Sequence, residues 1–437
     1  MRLRGKVELI ASLPLNFMTG REILQTALNH RQPERVPVDF GATPVTGMHV
    51  SIVHQLRRRL LGNPGFRVKV IEPYQMLGEI DDELRAALGI DVVGVQTRKS
   101  ILGTESSDWK PFTMSDGTPC LVPGNFNVTP APDGGWYMHP GGDTSMAPSS
   151  HMPKTGCFFD AVVRQKPIDE DHLDPADNLE EFTLLDEDDL AYYRKQVQWL
   201  DERKDVGAIL IAPGTAFGDI ALVPAPFLRD PKGIRGIQEW YMATVENRDY
   251  IYEVFERQSV IALQNLQTLI DLFGDRVQAV YLTGTDFGTQ RSLFISLPTY
   301  RDLYKPFQKK LNDYVHTHSN RKAFMHSCGA ISELIPDLIE AGFDILNPVQ
   351  CSATGMDPVK LKKEFGKDIV VWGGGVNTQH TMPTGSPDDV YREVSSRIEI
   401  FNQGGGYVFD AIHNVQAQTP VENITAMFSA VHDSAKK

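Results

Sequence analysis

Short apolar runs alternate with longer amphipathic stretches from about residue 186 to the end of the chain. Apolar runs bounded by turn residues are typical of strands buried on both faces, and the stretches between them repeat apolar positions with the period of a helix. The pattern therefore predicts regularly alternating strands and helices. The predicted strands cover 206–212, 277–282, 323–328, 345–349, 369–372 and 407–409. The predicted helices cover 186–203, 232–246, 248–273, 298–318, 331–341, 357–365, 387–402 and 420–433.

The N-terminal part adds two strands, at 36–40 and 91–95, to give eight. Pro37 is typical of an irregular or edge position. Eight strand–helix units predict an α/β fold, a (β/α)₈ TIM barrel. The rival is an open doubly wound sheet, which would carry a Gly-rich phosphate loop early in the chain, and none follows the first strand. The helices predicted here cover 19–30, 48–61 and 78–88, and the first of them has a capped start at Thr19.

Residues 100–165 break the alternation. They are rich in Gly, Pro, Asn, Asp and aromatic residues, and Asp133-Gly134-Gly135 is typical of a hairpin turn. We predict an inserted β-rich segment after the second strand, which serves as a lid or wall. The predicted organisation is an N-terminal extension at 1–17 and a single barrel domain at 18–437 that contains the insertion.

Composition and charge narrow the class of protein. The chain has 437 residues, 41% hydrophobic and 23% charged, and a formal net charge of −13. It has no Lys/Arg-rich block, so a phosphate backbone would be repelled and nucleic acid is set aside as a partner. The 4 cysteines are too sparse for a disulfide framework, which favours a reducing cytoplasm. No stretch approaches the roughly 18 apolar residues of a membrane span, so we expect no membrane partner.

Polar residues follow the predicted strands, where a barrel carries its chemistry. Uncharged amides dominate, which suits a neutral or aromatic polar substrate better than a phosphorylated one. Capping of the following helices is the alternative role, and it accounts for about half of them. The residues are Asp39, Gln96, Thr283, Asp286, His326, Cys328, Asn347, Gln350, Asn377, Gln379, His413, Asn414 and Gln416.

His326-Ser327-Cys328 closes a predicted strand and carries two ligands that zinc prefers. Alternate residues of a strand point the same way, so both side chains can bind one ion. The alternative is a buried cysteine beside a hydrogen-bonded histidine. Catalytic zinc usually takes three protein ligands, and His413 after the last strand is a stronger third candidate than Cys351, which directly follows Gln350.

Four segments carry a family resemblance: Phe324-Met325-His326-Ser327-Cys328-Gly329, Asn347-Pro348-Val349-Gln350, Trp372-Gly373-Gly374-Gly375-Val376 and Thr419-Pro420-Val421-Glu422-Asn423-Ile424. From about Thr19 onward the chain resembles the uroporphyrinogen decarboxylase superfamily, and within it the zinc-dependent corrinoid methyltransferase branch. In members of that branch acting on thiols, a His-x-Cys pair and a second Cys hold the metal. The second Cys lies six residues before the Thr-Pro, a position that His413 fills here.

The resemblance implies zinc on His326, Cys328 and His413. A ligand set with one thiolate leaves the ion one charge more positive than a set with two, which favours stabilising a departing oxygen or nitrogen over presenting a thiolate nucleophile. Asp286 is the predicted catalytic residue, as a proton donor, an orienting group for His413 or a fourth ligand. The predicted substrate-binding residues are Asp39, Asn347, Gln350, Gln379, Asn414 and Gln416.

The resulting prediction is an O-demethylase-like methyltransferase. It moves a methyl group from a small methylated substrate, a methyl ether first of all, to the Co(I) corrinoid of a separate corrinoid protein, because the chain shows no cobalamin-binding segment. The alternatives are a methylcorrinoid:thiol or methylcorrinoid:tetrahydrofolate methyltransferase and a decarboxylase. The loop at 41–47 has no Arg for substrate carboxylates, which disfavours the decarboxylase. A homodimer is left open.

Overall fold

The computed structural model describes residues 18–435. Its central element is a sheet of seven strands, paired in parallel in the order of the chain. Helical crossovers between neighbouring parallel strands curl such a sheet into a TIM-barrel-like arrangement. The strands are β1 (Val92–Val95), β2 (Gly207–Ile211), β3 (Ala279–Thr283), β4 (Lys322–His326), β5 (Ile345–Asn347), β6 (Val370–Trp372) and β7 (Tyr407–Val408).

The segment 36–40 completes the ring between β7 and β1. Val38 forms a parallel bridge with Phe409, and the Asp91 N–H donates to the Val38 carbonyl at 2.8 Å. Pro37 has no N–H to donate, so the hydrogen-bond ladder cannot extend along this segment. The predicted TIM-barrel fold is confirmed, with its first strand reduced to a single bridge.

Helices surround the sheet at the predicted places. The capped start is confirmed, since the Thr19 hydroxyl accepts the Glu22 N–H and the Glu22 carboxylate accepts the Thr19 N–H. No helix within residues 18–435 is long and apolar enough to cross a membrane. The α-helices are Gly20–Leu28, Val50–Leu61, Asp82–Leu88, Glu187–Asp201, Ile237–Glu246, Arg248–Phe273, Leu297–Thr299, Lys305–His318, Ile335–Glu340, Pro358–Phe365, Thr381–Thr384, Pro387–Phe401 and Val421–Ser434, and Tyr300–Tyr304 is a π-helical link.

The predicted β-rich insertion follows β1, the second strand of the ring. The hairpin is confirmed as the antiparallel pair Val128–Pro130 and Trp136–Met138. Sequence patterning missed Val68–Glu72, which pairs in parallel with Pro119–Val122 and so ties the insertion to the barrel's own chain. The other strands of the two small sheets are Leu77–Gly78, Lys110–Thr113, Ser150–Met152 and Asp160–Ala161. The predicted extension at 1–17 lies outside the described residues.

Aromatic side chains give the insertion its own core. Phe126 and Phe159 are almost fully buried, and their rings lie 5.9 Å apart, edge to face. Phe112 packs on Phe126 at 5.5 Å and on Trp136 at 6.2 Å. Edge-to-face pairs of this kind stabilise a small core beyond the area they bury. These rings therefore hold the insertion together rather than wall the barrel mouth.

An aromatic layer crosses the barrel interior just below its mouth. Tyr281 on β3, Phe324 on β4 and Trp372 on β6 form a chain of ring contacts, each 5.3 Å between centroids. Side chains alternate along a strand, so the next inward-facing position on β4 above Phe324 is His326. The layer is thus a packed floor on which the site at the mouth is built.

Candidate metal centre

The three predicted metal ligands come together at the mouth of the barrel. His326 ends β4, Cys328 follows it, and His413 lies in the loop after β7. One ligand atom from each residue lies within 4.8 Å of the other two. A strand end and a neighbouring loop thus converge on one point, as the carboxyl ends of barrel strands do. That the group holds zinc stays a prediction.

Asn347 fixes the orientation of the His326 ring. The Asn347 side-chain oxygen lies 2.5 Å from Nδ1 of His326, while its nitrogen donates to the Trp372 carbonyl at 2.9 Å. Because an amide oxygen only accepts, Nδ1 carries the proton and Nε2 offers its lone pair to the site. This is the tautomer that a metal ligand needs.

The spacing of the strand-borne ligands suits a tetrahedral ion. Sγ of Cys328 lies 3.4 Å from Nε2 of His326. Zinc bonds to sulfur and nitrogen of about 2.3 and 2.1 Å, at a tetrahedral angle, place the two atoms about 3.6 Å apart. The donor types and their separation therefore fit zinc without movement of the strand.

His413 reaches the site from a strained loop. Its φ of 72° lies in the left-handed region, which is uncommon for a residue with a side chain. Its ring lies 5.3 Å from the His326 ring. Nδ1 of His413 accepts the Asn414 N–H at 2.8 Å, so the neutral ring carries its proton on Nε2. An ion on Nδ1 would displace the Asn414 N–H. An ion on Nε2 would require the ring proton to move to Nδ1, which also breaks this hydrogen bond. His413 is therefore the ligand that must adjust when an ion binds.

Asp286 borders the group from the loop after β3. Its Oδ1 accepts the Cys328 N–H at 2.6 Å and lies 3.8 Å from Nε2 of His326. Burial raises the pKa of the carboxyl, an effect that the Cys328 N–H and nearby His413 oppose. The predicted catalytic carboxyl is therefore beside His326 and Cys328 but outside the group of three ligands, and its role as proton donor, orienting group or fourth ligand stays a prediction.

Burial decides the protonation of the metal-free ligands. It lowers the pKa of both His326 and His413 to about 4, and it raises the pKa of the Cys328 thiol well above its usual range. Neutral imidazole is the ligating form of histidine, so neither ring has to lose its positive charge before an ion binds. The thiol ionises when a cation is bound beside it, since the ion's charge outweighs the cost of burial.

The uroporphyrinogen decarboxylase (URO-D) family model matches residues 151–434, more than half of the chain. The chain belongs to the uroporphyrinogen decarboxylase family. Two curated relatives carry that enzyme name. The one from Aliivibrio salmonicida (strain LFI1238) is 31% identical over 97 residues, and the one from Pseudoalteromonas translucida (strain TAC 125) is 28% identical over 95. Each match covers 20% of this chain and 26% of the relative, so the likeness spans about a quarter of those enzymes.

A solved structure extends the likeness over the whole barrel. A methyltransferase from Methanosarcina mazei aligns with a TM-score of 0.54 and 14% sequence identity. The alignment covers 95% of this chain and 99% of that one. At this identity the likeness shows a shared fold. The fold of the uroporphyrinogen decarboxylase family thus carries, in this member, a candidate His-Cys-His centre.

Asn414 connects the His413 loop to the N-terminal side of the barrel. Its side-chain oxygen accepts the Gly47 N–H at 2.5 Å, and its side-chain nitrogen donates to the Pro44 carbonyl and to Oε1 of Gln75, both at 2.8 Å. The residue is 1% exposed. All its polar groups are engaged within the chain, so the geometry gives this predicted substrate contact a positioning role instead.

The other predicted substrate contacts divide between buried and rim positions. Asp39 is fully buried and accepts N–H groups of Ala42 and Trp372. Asn347 orients His326 as described above. Gln350 joins two loops, because its oxygen accepts the Gly329 N–H at 3.0 Å and its nitrogen donates to Gln290 at 2.9 Å. The predicted residues at the rim are Gln379, which is exposed, and Gln416, which is half-buried.

Cys351, the weaker candidate for third ligand, lies apart from the described group. Its Sγ donates to the Val349 carbonyl at 3.3 Å, and burial raises its pKa to about 11. Within residues 18–435 it belongs to no group of side chains that could hold an ion, so the thiol behaves as a small packing residue. The structure therefore brings His413, rather than Cys351, to the pair on β4.

Two polar residues beside the centre were missed by sequence analysis. A Cβ built on Gly284 would lie 2.5 Å from the Tyr281 hydroxyl and 3.0 Å from Oδ2 of Asp219. The two groups therefore converge on one point at the backbone that leads to Asp286. Tyr281 alternates inward on β3, a signal that was readable. Asp219 lies in an irregular loop after β2, where no periodicity indicates direction.

Proposed function

We propose that this member of the uroporphyrinogen decarboxylase family is a zinc-dependent methyltransferase. It moves a methyl group from a small methylated substrate, best fitted by a methyl ether, to the Co(I) corrinoid of a separate corrinoid protein. The convergence of His326, Cys328 and His413 within 4.8 Å carries the proposal. The shared fold with a protein named as a methyltransferase supports it.

The mouth suits this chemistry better than decarboxylation of a substrate with many carboxylates. Such a substrate needs cationic side chains to bind it. The loop at 41–47 has no Arg or Lys, and the groups that face the interior here include the carboxyls Asp39 and Asp286. Carboxyls at a binding site repel carboxylate ligands. We therefore prefer methyl transfer over the reaction that gives the family its name.

The chain's own residues hold and orient the reacting groups. His326, Cys328 and His413 would hold the ion, with Asn347 keeping Nε2 of His326 directed at it. When bound, zinc supplies Lewis-acid polarisation of the bond between the methyl carbon and its heteroatom. Asp286 anchors the Cys328 backbone through Oδ1. The aromatic layer below the ligands excludes water from the floor of the site.

The test uses the zinc-loaded, full-length protein with cob(I)alamin and a methoxylated aromatic compound. Methyl transfer converts the spectrum of Co(I) to that of methyl-Co(III), which is followed by absorbance. We expect conversion by the native protein, none by Cys328→Ala, and unchanged conversion by the control Cys351→Ala. Conversion that occurs only in the reverse direction, from methylcobalamin to a thiol or tetrahydrofolate, would contradict the proposal.

A further inference from the structure

Four carboxyl groups lie at or after the carboxyl ends of four different strands of the ring. Asp39 and Asp410 are 0% exposed, Asp219 is 8% exposed, and Asp286 is partly buried. Within residues 18–435 the single ion pair that any of them forms is that of Asp286 with His326, at 3.8 Å. The mouth is therefore rich in carboxyls, and none of them pairs with a Lys or an Arg.

One divalent ion does not account for this many carboxyls. Asp39, Asp219 and Asp410 lie outside the ligand triad, and none of them forms an ion pair within the described residues. A buried carboxyl without a cation is costly when ionised, and burial raises the pKa of Asp39 and of Asp219 to about 7.

Two polar atoms beside the centre are free to meet a ligand. Oδ1 of Asp219 accepts the Ala221 N–H at 2.9 Å, whereas Oδ2 forms no hydrogen bond with any described residue. The Tyr281 hydroxyl likewise has no hydrogen-bond partner in the described chain, and both atoms approach the same point at Gly284. The Tyr281 ring belongs to the aromatic floor. A carboxylate oxygen, a phenol and an aromatic face together are typical of a site for an organic cation.

Asp410 is a further buried carboxyl that the chain leaves without a partner. Both of its carboxyl oxygens are buried without a hydrogen-bond partner. Its neighbour Phe409 packs on Phe40, and Phe40 packs in turn on Phe428 of the last helix, so Asp410 points inward on the alternating strand segment. Buried polar atoms in native proteins are almost always satisfied, so the Asp410 carboxyl needs a partner that the chain itself does not supply.

We propose that the methylated substrate also carries a positive charge, an ammonium group, which Asp219 and Tyr281 bind beside the metal centre. This rests on the proposed function and narrows its substrate class. A second metal ion is the poorer occupant, because the single His/Cys/Asp/Glu group suited to an ion within residues 18–435 is the ligand triad itself. An anionic substrate would meet unbalanced carboxyls.

The test compares three probes of one shape and different charge. Isothermal titration calorimetry measures binding of 2-(3-methoxyphenyl)ethylamine, 3-ethylanisole and 3-methoxyphenylacetate to the zinc-loaded protein. We expect the cationic probe to bind at least about tenfold more tightly than the neutral one, and the anionic probe to bind most weakly. Equal binding of the cationic and neutral probes, or no binding of the cationic probe, would overturn the proposal.

Substitutions at Asp219 and Tyr281 test whether these residues bind the ammonium group. Asp219→Asn should abolish the preference for the cationic probe while zinc content stays at one per chain, and Tyr281→Phe should reduce the preference less. The matched control is Asp368→Asn, which changes an exposed carboxyl just before β6, at the end of the strand away from the mouth. It should leave the preference for the cationic probe unchanged. The ratio of a variant's affinities for the cationic and the neutral probe does not depend on how much of that variant is folded. A preference that survives Asp219→Asn would overturn the assignment.

The two proposals fail in different ways. If methyl transfer to cob(I)alamin is as fast from the neutral probe as from the cationic probe, the result contradicts the charged substrate and supports the proposed function. Charge-dependent binding without methyl transfer from any probe would count against the proposed function instead.

Discussion

The two halves of the metal centre are built in different ways. His326 and Cys328 lie at the end of a buried strand, and the neighbouring strand supplies Asn347 to hold the His326 ring. His413 lies in a loop with a left-handed backbone, and its position depends on the crosslinks of Asn414. The strand half is preformed by the sheet, whereas the loop half must be held and must adjust when an ion binds.

The largest expected effect is the loss of a strand ligand. Cys328→Ala should weaken zinc binding by more than about 100-fold, because it removes the thiolate from a rigid pair that no other side chain can replace. Competition with a chromogenic chelator measures the affinity. Cys351→Ala is the matched control, and a comparable loss in that variant would show that the ligand assignment is mistaken.

The loop ligand should be replaceable. His413→Ala should lose zinc, and His413→Cys should recover it, because thiolate is also a zinc ligand and the resemblance places a Cys at this position. The added negative charge makes the ion a weaker Lewis acid, so we expect His413→Cys to bind zinc yet demethylate a methyl ether more slowly. Chelator competition and cobalamin absorbance measure the two properties. Full activity in the Cys variant would contradict the role of the charge.

Loss of a positioning amide should weaken zinc binding less than loss of a ligand. The two amides also test the strand half and the loop half of the centre separately. Asn347→Ala and Asn414→Ala should each weaken zinc binding by about 10- to 100-fold. Asn414→Ala should also lower the free energy of unfolding of the metal-free protein by about 1–3 kcal/mol, because it leaves the buried Gly47 N–H without a partner. Denaturant titration measures the second effect. Unchanged zinc affinity in Asn414→Ala would mean that the loop positions His413 without it.

The effect expected at Asp219 concerns the stability of the metal-free protein alone. Burial raises its pKa from 3.8 to about 7, so the folded state binds the proton more tightly than the unfolded state. Stability should therefore fall as pH rises from about 4 to about 7, by an amount on the order of 1–3 kcal/mol. Asp219→Asn should flatten this fall while keeping the acceptor for Ala221. An unchanged pH profile of denaturant midpoints would contradict the burial of an uncompensated carboxyl.

The same contrast explains what the sequence could predict. Apolar periodicity located the seven strands to within a few residues, because strands buried on both faces have a strong signal. It over-extended 36–40, where Pro37 limits pairing to one bridge, and it missed Val68–Glu72, whose partner lies in the insertion. Strand alternation indicated that His326 and Cys328 point the same way, and the family resemblance indicated that they bind a metal. Long-range pairing is not encoded in local periodicity.

The periodicity of apolar residues did not predict the features of the site that lie in loops. Position relative to a motif indicated His413, but its left-handed backbone and the crosslinking role of Asn414 depend on contacts with residues near 44–47 and 75. Asp219 and Tyr281 meet only because Gly284 lets the backbone come close to both. Amide side chains after strands suggested substrate contacts, yet most of them are engaged in holding loops together.

X-ray absorption at the zinc edge of the zinc-loaded, full-length protein tests the central claim most directly. The spectrum reports the type and number of atoms bound to the ion. We predict one sulfur and two imidazole nitrogens, with a fourth ligand of nitrogen or oxygen. Two sulfur ligands, or a shell of oxygen alone, would contradict a centre built from His326, Cys328 and His413.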